Sequence, residues 1–122
     1  VSLDTFHVLT SQSDGVTVVH FLLDEHGQAA LDPVRHYFAA AFLDHTTAWS
    51  RLVIDLSGVA TLDSSCLGPL VQKLRLVQQA GGRMALTGVR SPALEEILAL
   101  TRFDKVFPIT RTRDEAIALV RA

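Results

Sequence analysis

The chain predicts an α/β fold: one mixed, mostly parallel sheet of about five strands, with an N-terminal β-hairpin and about four helices. Three observations predict it. From Arg51 onward, short β-favouring apolar runs alternate with stretches whose apolar residues recur at helical spacing, which implies parallel strands joined by right-handed crossovers. Before Arg51, two β-rich runs flank Ser11-Gln12-Ser13-Asp14-Gly15, and the Asp-Gly pair is a hairpin signal. Between these halves lies Leu52–Gly68, LVIDLSGVATLDSSCLG, which reads as strand, tight loop and helix.

Phe6–Leu9 and Val16–Leu23 form the predicted hairpin, with its turn around Ser13–Gly15. Asp24-Glu25-His26-Gly27-Gln28 is a polar loop. Asp32-Pro33 reads as an N-cap with proline at the first helical position, and Val34, Phe38, Ala41 and Phe42 continue a helix to about Leu43. Asp44–Ser50 is a polar connector, and its Trp49 is expected to cover the end of the core. Leu52–Asp55 is a buried strand, and Leu52, Val53, Ile54 and Leu86 are expected in the interior because a central parallel strand is covered on both faces. Leu67, Leu70, Val71, Leu74 and Val77 fall on one face of a helix from Ser65 to Gln79, closed by Gly81-Gly82. Met84–Thr87 is a short strand. Ser91-Pro92 opens a further helix with Glu95 and Glu96 early in it, where the helix dipole favours acids. Lys105–Ile109 is the expected last strand. Thr112-Arg113-Asp114-Glu115 is a capping box ahead of amphipathic Ala116–Val120.

The totals narrow the classes of function. A chain of 122 residues, 48% apolar and 20% charged, is expected to form one domain over 1–122 with a real core. A net charge of −2 with interspersed signs argues against nucleic acid as a direct partner. No apolar run approaches the roughly 20 residues a membrane helix needs, and no signal-peptide pattern opens the chain. One cysteine forbids an internal disulfide and fits a reducing compartment, so a cytoplasmic location is expected. Val1 in place of a starting methionine leaves open whether the chain is processed or trimmed.

Enzyme signals are weak. Ser64 has no G-x-S-x-G around it, and the five histidines have no obvious acid partner. No H-x-x-x-H pairing occurs and Cys66 stands alone, so neither metal nor cofactor is expected. Gly81-Gly82 is followed by no G-K-[ST] and is a helix stop, not a phosphate loop. What remains is Asp63-Ser64-Ser65 at a helix start beyond a strand's carboxyl end. Unpaired N–H groups and the dipole there suit a carboxylate or phosphate, although simple capping accounts for the same residue types.

DLSGV at Asp55–Val59 followed by LDSSCLG at Leu62–Gly68 resembles the signature of STAS domains, the family of anti-anti-sigma factors and of the cytoplasmic ends of sulfate transporters. Gln79–Arg83, Leu86–Val89 and Ile97–Thr101 leading into Phe103–Ile109 carry the resemblance further, with good coverage from Leu52 to Val120. It implies the same architecture, and in the anti-anti-sigma branch it implies a cycle. The unphosphorylated protein binds an anti-sigma factor that is also a serine kinase, frees the sigma factor, and is then phosphorylated and released. The resemblance maps the phosphorylated serine onto Ser64, and the partner-binding residues are expected to be Asp24, Thr61, Asp63, Ser65, Cys66 and Gly68, because these lie at strand ends on one rim. The docking surface is expected at Thr61–Gly68, flanked by the Asp24–Gln28 loop and Gly88–Ser91.

Three positions depart from that pattern. Cys66 replaces a usual glycine and is either a core-edge filler or a recognition residue. Pro69 replaces an apolar helix former and leaves two possible helix starts, near Ser65 or near Pro69. The family's G-x-L-D is absent, and Leu23-Asp24-Glu25-His26 stands in its place. Two alternatives accompany the antagonist reading. One is a STAS interaction module without a phosphoswitch, such as a scaffold or a piece of a larger regulator or transporter. The other is a small-molecule binder or enzyme.

Overall fold

The computed structural model describes residues 6–122. Five strands form one sheet in the order β1-β2-β3-β4-β5: β1 (Val8–Ser13), β2 (Val16–Phe21), β3 (Arg51–Asp55), β4 (Arg83–Thr87) and β5 (Ile109–Thr110). β1 and β2 pair antiparallel, and every later pair is parallel. The helical segments are α1 (Leu31–His36), a π-helical turn (Tyr37–Ala41), α2 (Phe42–His45), α3 (Ser64–Gln79), α4 (Pro92–Leu100), α5 (Phe103–Val106) and α6 (Arg113–Arg121).

Strand alternation divides the interior into two layers. Val19, Phe21, Leu52, Ile54, Met84 and Leu86 face the larger layer, where α1 to α4 bring Val34, Phe38, Phe42, Leu70, Leu74, Leu94 and Leu98. Val16, Val18, Val53 and Ala85 face the other side, which α6 covers with Ala116, Ile117 and Val120. β3 is thereby buried on both faces, with Leu52, Val53 and Ile54 inaccessible, as expected of a central parallel strand. Trp49 packs half-buried at the margin of the larger layer, its ring edge-on to His45 at 5.0 Å between centroids.

Helix ends follow the local chemistry. Ser91 caps α4 through the Leu94 amide, and Thr112 and Glu115 exchange the bonds of a capping box. At the end of α3, the Gly82 amide donates to the Val77 carbonyl and the Gly81 amide to Gln78, a Schellman arrangement with Gly81 at φ +77°. A side chain at Gly82 would collide with the Ser50 backbone, so this glycine also lets α3 turn tightly into β4.

Several expectations are corrected. β1 begins at Val8 rather than Phe6 and runs through Ser13, because its outer position in the sheet tolerates Ser and Gln. The turn is only Asp14-Gly15, both at positive φ, which matches the right-handed twist of a two-residue hairpin. The first helix is capped at Ala30, with Asp32 inside the first turn, and its π-helical turn carries helical structure on to His45. The expected strand at Lys105–Ile109 is instead α5 followed by β5. Left-handed Arg102 starts a turn there, and Phe103 and Phe107, four apart, both face inward at 5.7 Å between rings. Only after Pro108, whose carbonyl accepts from the Leu86 amide, does the chain join β4.

Candidate functional site

The carboxyl end of β3 is tied down by Asp55, 6% exposed. Its Oδ1 accepts from the Ser57 amide and hydroxyl at 3.0 and 2.7 Å, and its Oδ2 accepts from Arg113 Nε at 3.0 Å, with Arg113 Nη2 in ion-pair contact at 2.9 Å. Burial alone would raise this carboxyl's pKa. The Ser57 bonds and the Arg113 guanidinium outweigh burial and hold it below the ordinary range. Gly88, at φ +76°, lets the β4–α4 loop pass against this knot, since a Cβ there would lie 2.4 Å from both Asp55 Oδ1 and Ser57 Oγ.

From Asp55 the chain crosses the rim with Leu56, Val59 and Leu62 turned inward. Two neighbouring loops are fastened to this crossing. The Ala29 amide donates to the Gly58 carbonyl, and Gly58 leaves no room for a side chain beside Leu23 and Gly27. On the other flank the Ser91 hydroxyl donates to the Ala60 carbonyl at 2.6 Å. The loops after β2, β3 and β4 thus meet on one rim, the end of an open α/β sheet where ligand crevices form. Asp24 is exposed there, with Oδ1 accepting from the His26 and Gln28 amides of its own loop.

α3 begins at Ser64, not near Pro69, because Asp63 is a competent cap. Its Oδ1 accepts from the Ser65 amide and hydroxyl, and its Oδ2 forms an ion pair with Arg35 Nε of α1 at 2.8 Å. The Ser65 hydroxyl bond, helped by Arg35, lowers the Asp63 pKa. Pro69 lies in the second turn, where its missing N–H leaves the Ser65 carbonyl without its usual helical donor. Ser64 is exposed at the first helical position, and its hydroxyl has no hydrogen-bond partner among the described residues.

The predicted residues therefore divide. Asp63, Ser64, Ser65 and Gly68 share the start of α3, with Thr61 half-buried just before it. Asp24 lies on the neighbouring loop. Cys66 is fully buried and burial pushes its thiol pKa up, which fits the core-filler reading of the two the sequence leaves open. The sequence reading missed Arg35 and Arg113. Nothing in the local pattern marks either one, because each pairs with an acid far along the chain. Among the described residues, no cluster of His, Cys, Asp and Glu could hold a metal ion, and no helix is long and apolar enough to cross a membrane.

Comparison with known proteins agrees with this geometry. A family model described as STAS domain matches residues 29–116. The structure of an anti-sigma-factor antagonist (STAS) domain protein from Planctomyces limnophilus superposes with a TM-score of 0.76 at 27% identity, covering 94% of this chain and 98% of that one. An anti-sigma factor antagonist from Mycobacterium paratuberculosis gives 0.71 at 30% identity, covering 94% and 93%. A Thermotoga maritima protein provisionally named anti-sigma factor antagonist is 33% identical over 73 residues, which span 60% of this chain and 64% of that relative's length. With the signature loop, the sheet order and the family model in agreement over most of its length, the chain belongs to the STAS domain family.

Proposed function

We propose that this chain is an anti-sigma factor antagonist. It binds a kinase-type anti-sigma factor in the cytoplasm, releases the sigma factor that partner holds, and is switched off when the partner phosphorylates Ser64. The observation that carries this reading is the state of Ser64: an exposed hydroxyl, unengaged among the described residues, at the head of a 16-residue helix on the rim where three loops converge. A protein kinase needs such a hydroxyl, and the rim around it supplies a docking surface. Cys66 does not obstruct the approach, because its side chain points into the core.

Phosphorylation adds about −1.5 to −2 charges at pH 7. Within the free protein that charge sits at the favourable end of the helix dipole and in water. Within a docked complex it would be desolvated beside Asp63, which costs several kcal/mol where no cation answers it, so the modification acts as a release signal.

The test is calorimetric titration of wild type, Ser64→Ala and Ser64→Asp against the kinase-type anti-sigma factor encoded nearest this gene, with mass spectrometry after addition of ATP. Wild type should bind and then be released with phosphate on Ser64. Ser64→Ala should bind and stay bound, and Ser64→Asp should bind more weakly, though an aspartate only partly mimics the phosphate. Phosphate on Ser65 alone would refute the assignment. Equal affinity of Ser64→Asp and wild type would remove the phosphoswitch and leave an interaction module. No binding by any form would overturn the partner class.

A further inference from the structure

Two serines stand side by side at the start of α3, yet their hydroxyls are in opposite states. Asp63 uses both carboxylate oxygens: Oδ1 accepts from the amide and hydroxyl of Ser65, and Oδ2 is held in an ion pair by Arg35 Nε at 2.8 Å. Arg35 belongs to another helix, and its Nη1 is also 3.7 Å from Asp32. Asp32, Arg35, His36, Ala39 and Ser65 line a cleft of about 190 Å³, so Ser65 is turned toward α1. Ser64 is not among the residues of that cleft.

We propose that Arg35 is a positioning residue for phosphoryl acceptance. By fixing Asp63 from the neighbouring helix, it commits the Ser65 hydroxyl to the cap and leaves Ser64 as the acceptor. This rests on the reading of the chain as a phosphorylated antagonist. In the transfer, Ser64 Oγ forms a bond to the γ-phosphorus of ATP while the bond from that phosphorus to the β–γ bridging oxygen breaks. ADP departs, and the hydroxyl proton passes to a base of the kinase or to water. No hydrogen bond among the described residues is disturbed. The same transfer to Ser65 must first detach its hydroxyl from Asp63, and it leaves a dianion against that carboxylate. Asp63 is also a poor base for Ser65, because the Ser65 hydroxyl and Arg35 already stabilise its charged form.

The experiment uses the whole chain as wild type, Arg35→Gln, Arg35→Lys and Asp63→Ala, each checked for folding by circular dichroism. Each is incubated with magnesium–ATP and the kinase-type anti-sigma factor encoded nearest the gene, and phosphate is located by tandem mass spectrometry. Wild type should carry phosphate on Ser64 over Ser65 by about tenfold or more, since a charge-assisted hydrogen bond must otherwise break. Arg35→Gln should shift that ratio toward Ser65 by about two- to fivefold, the range of one partly exposed ion pair. Arg35→Lys should restore most of the preference, and Asp63→Ala should lose the most. A Ser64 to Ser65 ratio unchanged across the folded variants overturns the proposal while leaving the phosphoswitch standing. A kinase-free arm follows the Asp63 carboxyl by carbon NMR titration: its pKa should rise in Arg35→Gln and in Ser65→Ala, and no movement in Arg35→Gln overturns the clamp. Phosphate on none of the variants overturns the proposed function, and the selection of Ser64 falls with it.

Discussion

Asp55→Asn changes one atom and removes the charge at the end of the central strand. The amide keeps an oxygen for the Ser57 amide and hydroxyl but turns an NH2 toward Arg113, donor against donor. One charge-assisted hydrogen bond of 3.0 Å and an ion-pair contact of 2.9 Å are lost. Such a bond contributes about 1.5–3 kcal/mol and the ion pair adds to it, but the Arg113 side chain is 39% exposed and recovers part of its hydration. A loss of about 2–3 kcal/mol follows, at the lower edge of what breaking a buried pair costs. Against a total stability on the order of 5–15 kcal/mol, that is a large fraction. Urea unfolding followed by circular dichroism should show the midpoint falling by about 1 M or more with an unchanged slope.

The pH dependence supplies a second check. The folded Asp55 carboxyl has a lowered pKa, so the unfolded chain takes up its proton first as the solution is acidified. Its contribution is therefore complete above about pH 4, the unfolded carboxylate range, and is lost as pH falls through the folded value. The gap between wild type and Asp55→Asn should be constant from about pH 5 to 8 and close in stronger acid. A difference under about 0.5 kcal/mol at neutral pH, or one that persists undiminished in acid, would refute the argument that this ion pair anchors the loop.

Gly88→Ala should cost about 3 kcal/mol or more, because a left-handed alanine is strained and its Cβ would strike the Asp55–Ser57 knot. Gly15→Ala, equally left-handed but facing open space, should cost only about 1–2 kcal/mol, and similar losses in thermal unfolding would deny the knot its importance. Pro69→Ala should stabilise the chain by about 1 kcal/mol, since it supplies the donor missing opposite the Ser65 carbonyl and removes a poor helix residue. A fall in melting temperature would mean that proline's restriction of the unfolded chain outweighs the helix gain.

The signature stretch was legible because its chemistry is local. Leu52–Asp55 needs only its run of branched apolar residues to be a strand, Asp63 needs only a nearby amide to be a cap, and Gly81 needs only positive φ to stop a helix. The same holds for Ser91-Pro92 and for the Thr112–Glu115 box. Where the reading failed, neighbours distant in sequence prevailed. Lys105–Ile109 has strand-like residues, but the two phenylalanines at i and i+4 reach the core only if the chain first turns as a helix. Ser11–Ser13 has turn-like residues, but pairing with Thr17 and Val18 draws it into the ladder. Asp32-Pro33 has the composition of a cap, yet the helix begins two residues earlier, at Leu31.

The candidate site divides in the same way. That Asp63, Ser64 and Ser65 sit at a helix start beyond a strand follows from short-range spacing and could be read directly. Which serine is free, which way Cys66 points, and what neutralises Asp55 and Asp63 could not. The last of these depends on Arg35 arriving from α1 and Arg113 from α6, 28 and 58 residues away from the acids they meet. A surface or rim ion pair leaves no periodic trace in the chain, because only one side chain at each end is involved and no repeat enforces it. Periodicity records burial, which every residue of an element shares; pairing between two distant side chains exists only once the sheet has brought its loops to one rim.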